Sequence, residues 1–219
     1  MKFTRDEIRK AMLLYAVTDQ MWLKEGETLG DVVESVLQNG ATFLQIREKD
    51  LAQDAFEAEA ERLKTLCAQH GVPFVVNDSV EIAMQCDADG VHVGQSDIKG
   101  RDIRAMIGPD KILGISAGTV AEAVAAEMAG ADYIGVGAVF ATSTKKNARN
   151  LSVEQLKEIS DSVSIPVVAI GGINASNITE LCGSGVDGVA VVSAIFAAKY
   201  PGEATANLLK LSEEMVLHG

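Results

Sequence analysis

Eight short runs of apolar, mostly β-branched residues recur along the chain, separated by amphipathic stretches. The runs occupy 13–19 (LLYAVTD), 41–48 (ATFLQIRE), 73–78 (PFVVND), 90–94 (GVHVG), 112–117 (ILGISA), 133–140 (YIGVGAVF), 166–172 (PVVAIGG) and 188–194 (GVAVVSA). Several are near-continuous in apolar character rather than alternating, the pattern of strands buried on both faces of a parallel sheet. The stretches between them carry helix grammar. Residues 28–39 open on Thr28 and stop at Gly40, and 51–70 stop at Gly71. Residues 119–129 open on Thr119 with Glu122 three positions on and stop at Gly130, while 152–162 repeat the capping-box spacing with Ser152 and Gln155. Helices are also expected near 5–11, 176–182 and 203–216, and a stubby one between the third and fourth strands.

Strict alternation of strand and helix demands parallel pairing, because parallel neighbours need crossover connections. Eight such strands in 219 residues favour one closed (β/α)8 barrel, a TIM barrel, over an open doubly wound sheet. The helix near 5–11 precedes the first strand and is placed to plug the barrel floor. No linker or low-complexity tract divides the chain, so 1–219 reads as a single domain.

Charge narrows the partners. The formal net charge is −12, which argues against nucleic-acid or anionic-membrane partners, both of which select basic surfaces. Three cysteines, Cys67, Cys86 and Cys182, form no C-x-x-C pair and no even disulfide framework. The N-terminus shows no signal peptide and no run is long enough to span a bilayer. A cytoplasmic location is expected, and self-association is left open.

In barrels the chemistry collects at the C-terminal ends of the strands. The second strand ends in Gln45-Ile46-Arg47-Glu48-Lys49. Gln45, Arg47 and Lys49 share one side of an extended chain and suit an oxyanion; a solvated charge cluster is the other reading of that spacing. Asp78 and Asp97, after the third and fourth strands, suit one Mg2+ completed by substrate phosphate, although helix caps are the simpler reading of each alone. Ser116 ends the fifth strand. Thr142, Ser143, Thr144 and Lys145 follow the sixth, in a loop long enough to close as a lid. Gly171 and Gly172 end the seventh, and Val192-Ser193 the eighth, where a phosphate site recurs in this fold. His92 lies inside the fourth strand and reads as a packed core residue.

Seven segments in register, YAVTD (15–19), QIREK (45–49), VNDSVEIA (76–83), DADGVHVGQSD (87–97), ADYIGVGAVFATSTK (131–145), AIGGIN (169–174) and GVDGVAVVSAIF (185–196), resemble the thiamine phosphate synthase family. The resemblance implies a Mg2+-dependent transferase. Its substrates would be hydroxymethylpyrimidine diphosphate and a thiazole phosphate, joined to give thiamine phosphate and diphosphate. It also implies the site. Gln45, Arg47, Lys49 and Asn77 would hold the pyrimidine diphosphate, with Ile46 and Glu48 in the same substrate-binding segment. Asp78 and Asp97 would bind Mg2+, Ser116 the pyrimidine and Lys145 the diphosphate. Thr142, Ser143, Thr144, Gly172, Val192 and Ser193 would meet the thiazole phosphate. Arg47, Lys49, Ser116 and Lys145 form the implied catalytic set. Two other readings stay open: a barrel that isomerises the thiazole phosphate, which would want an acid–base residue beside it, and a non-catalytic phosphate-binding protein. A Schiff-base aldolase is disfavoured, since no lysine lies inside a strand.

Overall fold

The computed structural model describes residues 3–48, 51–141 and 151–217. Eight parallel strands close into a barrel in chain order: β1 (Leu14–Val17), β2 (Phe43–Ile46), β3 (Phe74–Asn77), β4 (Gly90–Val93), β5 (Ile112–Ala117), β6 (Tyr133–Val136), β7 (Val167–Ile170) and β8 (Gly188–Val191). β8 returns to pair with β1, which closes the ring and excludes the open sheet. Around them lie α1 (Arg5–Ala11), α2 (Leu29–Gln38), α3 (Gln53–His70), α4 (Val80–Gln85), α5 (Ile103–Ile107), α6 (Val120–Met128), α7 (Val153–Asp161), α8 (Ser193–Phe196) and α9 (Pro201–Leu217). Residues 178–181, expected as part of a helix over 176–182, form a single 3-10 turn. The five-residue α5 was not legible in the sequence, and neither was α8, which begins inside the last apolar run.

The strands are buried on both faces because two separate cores meet across them. Leu44, Ile46, Val91, Leu113 and Ile134 point outward and pack under the helices. Tyr15, Phe43, Val75, Ile112, Tyr133, Val168 and Ala190 point inward. Ile8 and Met12 rise into that inner cluster from α1 and its C-cap and are fully buried. Each such burial is worth roughly 1.5–3 kcal/mol, so α1 does plug the floor. Arg9 of the same helix donates to Asp187 at 2.6 Å and to the Ser164 carbonyl at 2.8 Å, fixing the plug to the β7 and β8 approaches.

The residue just before each even-numbered strand latches the start of the strand before it. Thr42 Oγ1 accepts from Leu14 N (2.8 Å) and Asp89 Oδ2 from Phe74 N (3.0 Å). Asp132 Oδ2 accepts from Leu113 N (2.8 Å) and Asp187 Oδ2 from Val167 N (2.8 Å). In three of the four, the latch residue's own N–H returns to the same partner's carbonyl: Thr42 to Leu14, Asp132 to Leu113 and Asp187 to Val167. These bonds satisfy backbone donors at strand starts and set the register from the floor.

The expected N-caps at Thr28, Thr119 and Ser152 are present, and Ser152 with Gln155 forms a full capping box. Glu122 differs from the expected box: its carboxylate accepts from Gly118 N, one residue before the cap. The three cysteines are free; burial pushes the Cys67 and Cys86 thiols up, leaving both as inert packing residues. Among the described residues no helix is long and apolar enough to cross a membrane.

Candidate active site

A cavity of about 520 Å3 opens at the C-terminal ends of the strands, within the size range of small-molecule sites. Strand ends from all around the barrel contribute: Gln45 and Arg47, Asn77 and Asp78, His92, Asp97, Ser116, Gly172, and Val192 with Ser193. A second hollow, about 400 Å3, lies at the opposite end near the starts of β4 and β5. Its lysines, Lys64 and Lys111, are already bonded to Asp87 and to backbone carbonyls.

Arg47 is held ready rather than loose. Its backbone N–H donates to Thr18 Oγ1 at 3.0 Å, and its guanidinium lies 3.6 Å from Asp19 Oδ2, both side chains largely buried. Asp19, the last residue of the YAVTD segment, is thus an orienting partner that strand-end reasoning passed over. It also caps the turn at Gln20–Trp22 by accepting from Met21 N.

Asp78 and Asp97 are not helix caps. Ser79 caps α4 and Asp102 caps α5, which leaves both aspartates on the cavity wall. Asp78 holds a left-handed backbone, φ 61°, while its N–H donates to the His92 carbonyl at 2.8 Å. That conformation is uncommon for a residue with a side chain and is stored mostly at functional positions. Asp97 Oδ2 accepts from Gly94 N at 2.9 Å. Carboxylates from adjacent strand ends, opening on one cavity, form a hard-oxygen set that fits a Mg2+ sharing phosphate ligands. Among the described residues no group of three or more acidic, His or Cys side chains forms a complete metal cage.

Two expected substrate contacts face elsewhere. Ile46 is fully buried in the outer layer beneath the helices, because it alternates with Gln45 and Arg47, and it is not among the residues lining the cavity. Glu48 also points outward, accepting from Thr18 Oγ1 at 3.1 Å. Burial, with like-charge repulsion from Asp19 and Glu59, pushes its carboxyl up to about 7, against the opposing hydrogen bond from Thr18 and the charge of Arg47. A carboxyl raised in the folded state stabilises fully below its unfolded value near 4.5, and that contribution is lost as pH rises through about 7. Glu48→Gln should therefore flatten the profile. Thermal melts should show the wild-type midpoint falling relative to the variant between those two pH values, and parallel profiles would count against this origin.

Lys49, Thr142, Ser143, Thr144 and Lys145, and with them most of the expected lid, lie outside the described residues. The segment leading to that loop is placed, however. Val139 and Phe140 donate to the carbonyls of Ile170 and Gly171. Gly172 (φ 68°) leaves so little room there that a Cβ would stand 2.4 Å from the Ala141 carbonyl oxygen. Asn174 and Asn177 both donate to the Gly172 carbonyl, at 3.2 and 3.0 Å. At the end of β8, Ser193 opens α8 with its N-terminus at the cavity.

His92 is packed as expected, but on the inner side, where it forms part of the cavity wall. Nδ1 meets Tyr133 Oη at 2.9 Å and Nε2 meets Ser116 Oγ at 3.0 Å. Gln95 donates to the Ser116 carbonyl at 2.7 Å, bracing the same strand end.

The sequence pattern of thiamine monophosphate synthase matches residues 14–195, the span that builds the whole barrel and this cavity. The chain belongs to the thiamine monophosphate synthase family. A thiamine-phosphate synthase from Clostridium beijerinckii is 49% identical over 184 residues, covering 84% of this chain and 88% of the relative. One from Ruminiclostridium cellulolyticum is 48% identical, covering 90% and 94%. The solved thiamine phosphate pyrophosphorylase from Pyrococcus furiosus superposes with a TM-score of 0.87 at 38% identity, covering 95% of this chain and 99% of that one. A geranylgeranylglyceryl phosphate synthase from Thermoplasma acidophilum, TM-score 0.68 at 14% identity, shares the fold alone. Family membership makes this protein a transferase of thiamine biosynthesis with small-molecule substrates.

Proposed function

We propose that the cavity joins hydroxymethylpyrimidine diphosphate to a thiazole phosphate by dissociation followed by capture. The observation that carries this reading is the convergence of Arg47, Asn77, Asp78, Asp97, Ser116, Gly172 and Ser193 on one cavity in a chain of this family. The pyrimidine diphosphate would lie toward β2–β5 and the thiazole phosphate toward β7 and β8, where Gly172 and Ser193 line the cavity.

The bond between the exocyclic CH2 and the diphosphate oxygen breaks, and its electron pair leaves with diphosphate. The ring amino group donates electron density to the resulting cation. Arg47, with Lys49 and Lys145, offsets the charge growing on the departing oxygens. Mg2+, held by Asp78 and Asp97, would add neutralisation of the diphosphate. The thiazole nitrogen then forms the C–N bond with its own lone pair, so no general base is required. Holding the two rings face to face can supply roughly 7–11 kcal/mol of the barrier.

The test is to mix protein, Mg2+ and both substrates and to follow diphosphate and thiamine phosphate together. Equal release of the two, requiring both substrates, is the expected result. Binding of both substrates by calorimetry with no product above background would replace this reading with a non-catalytic phosphate-binding protein.

A further inference from the structure

An unbroken line of hydrogen bonds crosses the waist of the barrel and ends at the cavity on both sides. Gln45 Nε2 donates to Tyr15 Oη at 2.6 Å. Tyr15 Oη and Tyr133 Oη are 2.8 Å apart, Tyr133 Oη and His92 Nδ1 2.9 Å, and His92 Nε2 and Ser116 Oγ 3.0 Å. The line draws on β1, β2, β4, β5 and β6. Room for it is built into the strands: a Cβ on Gly114 would stand 2.2 Å from the Tyr133 ring and 2.5 Å from His92 Nδ1, and one on Gly135 3.1 Å from His92 Cε1.

The line has a direction. Burial holds both phenols well above their usual range, so each keeps its single proton. Tyr15 already accepts from Gln45, and the acceptor within reach of its own O–H is Tyr133 Oη. Tyr133 must then give its proton to His92 Nδ1, which places the imidazole proton on Nε2. That N–H donates to Ser116 Oγ and turns the serine O–H toward the cavity. At the other end Gln45, having committed its NH2, keeps Oε1 for a ligand. The opposite direction would require Gln45 to present Oε1 to Tyr15 in place of the Nε2 that donates there at 2.6 Å.

We propose that Tyr15, Tyr133 and His92 act as a positioning relay that presents one acceptor (Gln45 Oε1) and one donor (Ser116 O–H) to the pyrimidine ring, selecting a ring that offers an amino donor beside a ring-nitrogen acceptor. This rests on the reading that the pyrimidine lies in this part of the cavity. His92 serves as the joint of the relay: its tautomer transmits the polarity of one end to the other, and it takes no proton from substrate.

A 4-oxo ring in place of the 4-amino ring exchanges a donor for an acceptor and is the direct probe. Calorimetry with the amino and oxo hydroxymethylpyrimidine phosphates should show the wild type preferring the amino ring by about tenfold or more, one good hydrogen bond's worth. Tyr133→Phe should bring that ratio to within about threefold. Nitrogen NMR of His92 should show the Nε2–H tautomer in the wild type and a shifted Nδ1 signal in the variant. The double variant Tyr15→Phe/Tyr133→Phe leaves no orphaned hydroxyl, so it should show the same lost preference with a melting temperature no lower than that of Tyr133→Phe. A general loss of packing would move the melting temperature and leave the ratio alone. An Nδ1–H tautomer in the wild type, a preference for the oxo ring, or an amino preference unchanged in both variants would overturn the relay while leaving the coupling reaction standing. If neither ring bound the wild type, the placement of the pyrimidine would fail, and this inference with it.

Discussion

Replacing Asp97 by Ala should slow coupling by about three orders of magnitude, because removing one of the two carboxylates proposed to hold a charge-neutralising cation would forfeit several kcal/mol at the transition state. Stability changes little by comparison: the structural loss is the hydrogen bond from Gly94 N at 2.9 Å and a long, exposed one from Ser96 Oγ at 3.5 Å, together worth about 1 kcal/mol. Asp97→Asn separates the two roles. It keeps an oxygen that can accept from Gly94 but loses the negative charge, so it should be nearly as slow as the Ala variant while melting like the wild type. Steady-state diphosphate release against Mg2+ concentration is the measurement. Both variants should need more Mg2+, and Asp78→Ala should behave alike. A wild-type Mg2+ response in Asp78→Ala and Asp97→Ala alike would refute the metal assignment.

Gly172→Ala carries the second large effect. Two costs combine there. The backbone sits at φ 68°, which an L-residue occupies at a cost of roughly 1–2 kcal/mol. The new Cβ would also stand 2.4 Å from the Ala141 carbonyl oxygen and 2.9 Å from the Phe140 carbonyl carbon, an overpacking that adds roughly 1–3 kcal/mol. At about 2–4 °C per kcal/mol for a chain of this size, the melting temperature should drop by roughly 5–15 °C. Displacing the 140–141 backbone also disturbs the place proposed for the thiazole phosphate, so its KM should rise at least about tenfold. Gly183→Ala is the control, with φ 79° and nothing within 4 Å of the added Cβ; it should show the conformational cost alone. Equal melting shifts in the two variants would mean that the close approach at Gly172 is relieved freely.

The fold was largely legible because its signal is redundant. Eight apolar runs, the caps at Thr28, Thr119 and Ser152, and the stops at Gly71 and Gly130 all specify the same alternation. What the runs concealed is which face is which. The period of two already set Gln45 and Arg47 apart from Ile46 and Glu48, but a strand buried on both sides shows little hydrophobic alternation, so nothing in QIREK said which of the two sides was the cavity. The same blindness hid His92. Its role depends on Tyr133 and Ser116 from other strands and on the glycine at Gly114, which pairs beside it in the β4–β5 register; these meet only once the barrel is closed. Helix α5 escaped notice because five residues are too few to show a period. The identity of the substrates was carried by the seven motifs rather than by spacing, which alone left Asp78 and Asp97 indistinguishable from caps.

The four latches at the barrel floor have a consequence for how this protein can change. Thr42, Asp89, Asp132 and Asp187 fasten each odd strand to its successor at the end remote from the cavity. They make the barrel four quarters, each two consecutive strands with its own clasp, joined by an α-helix in three of them and by a 3-10 turn between β7 and β8. Pairing within each quarter is therefore fastened where no substrate is touched, and the opposite rim is released from that duty. Loops there can lengthen, shorten or exchange residues without renegotiating strand register, which makes the rim of this barrel the natural place for new specificity to be written.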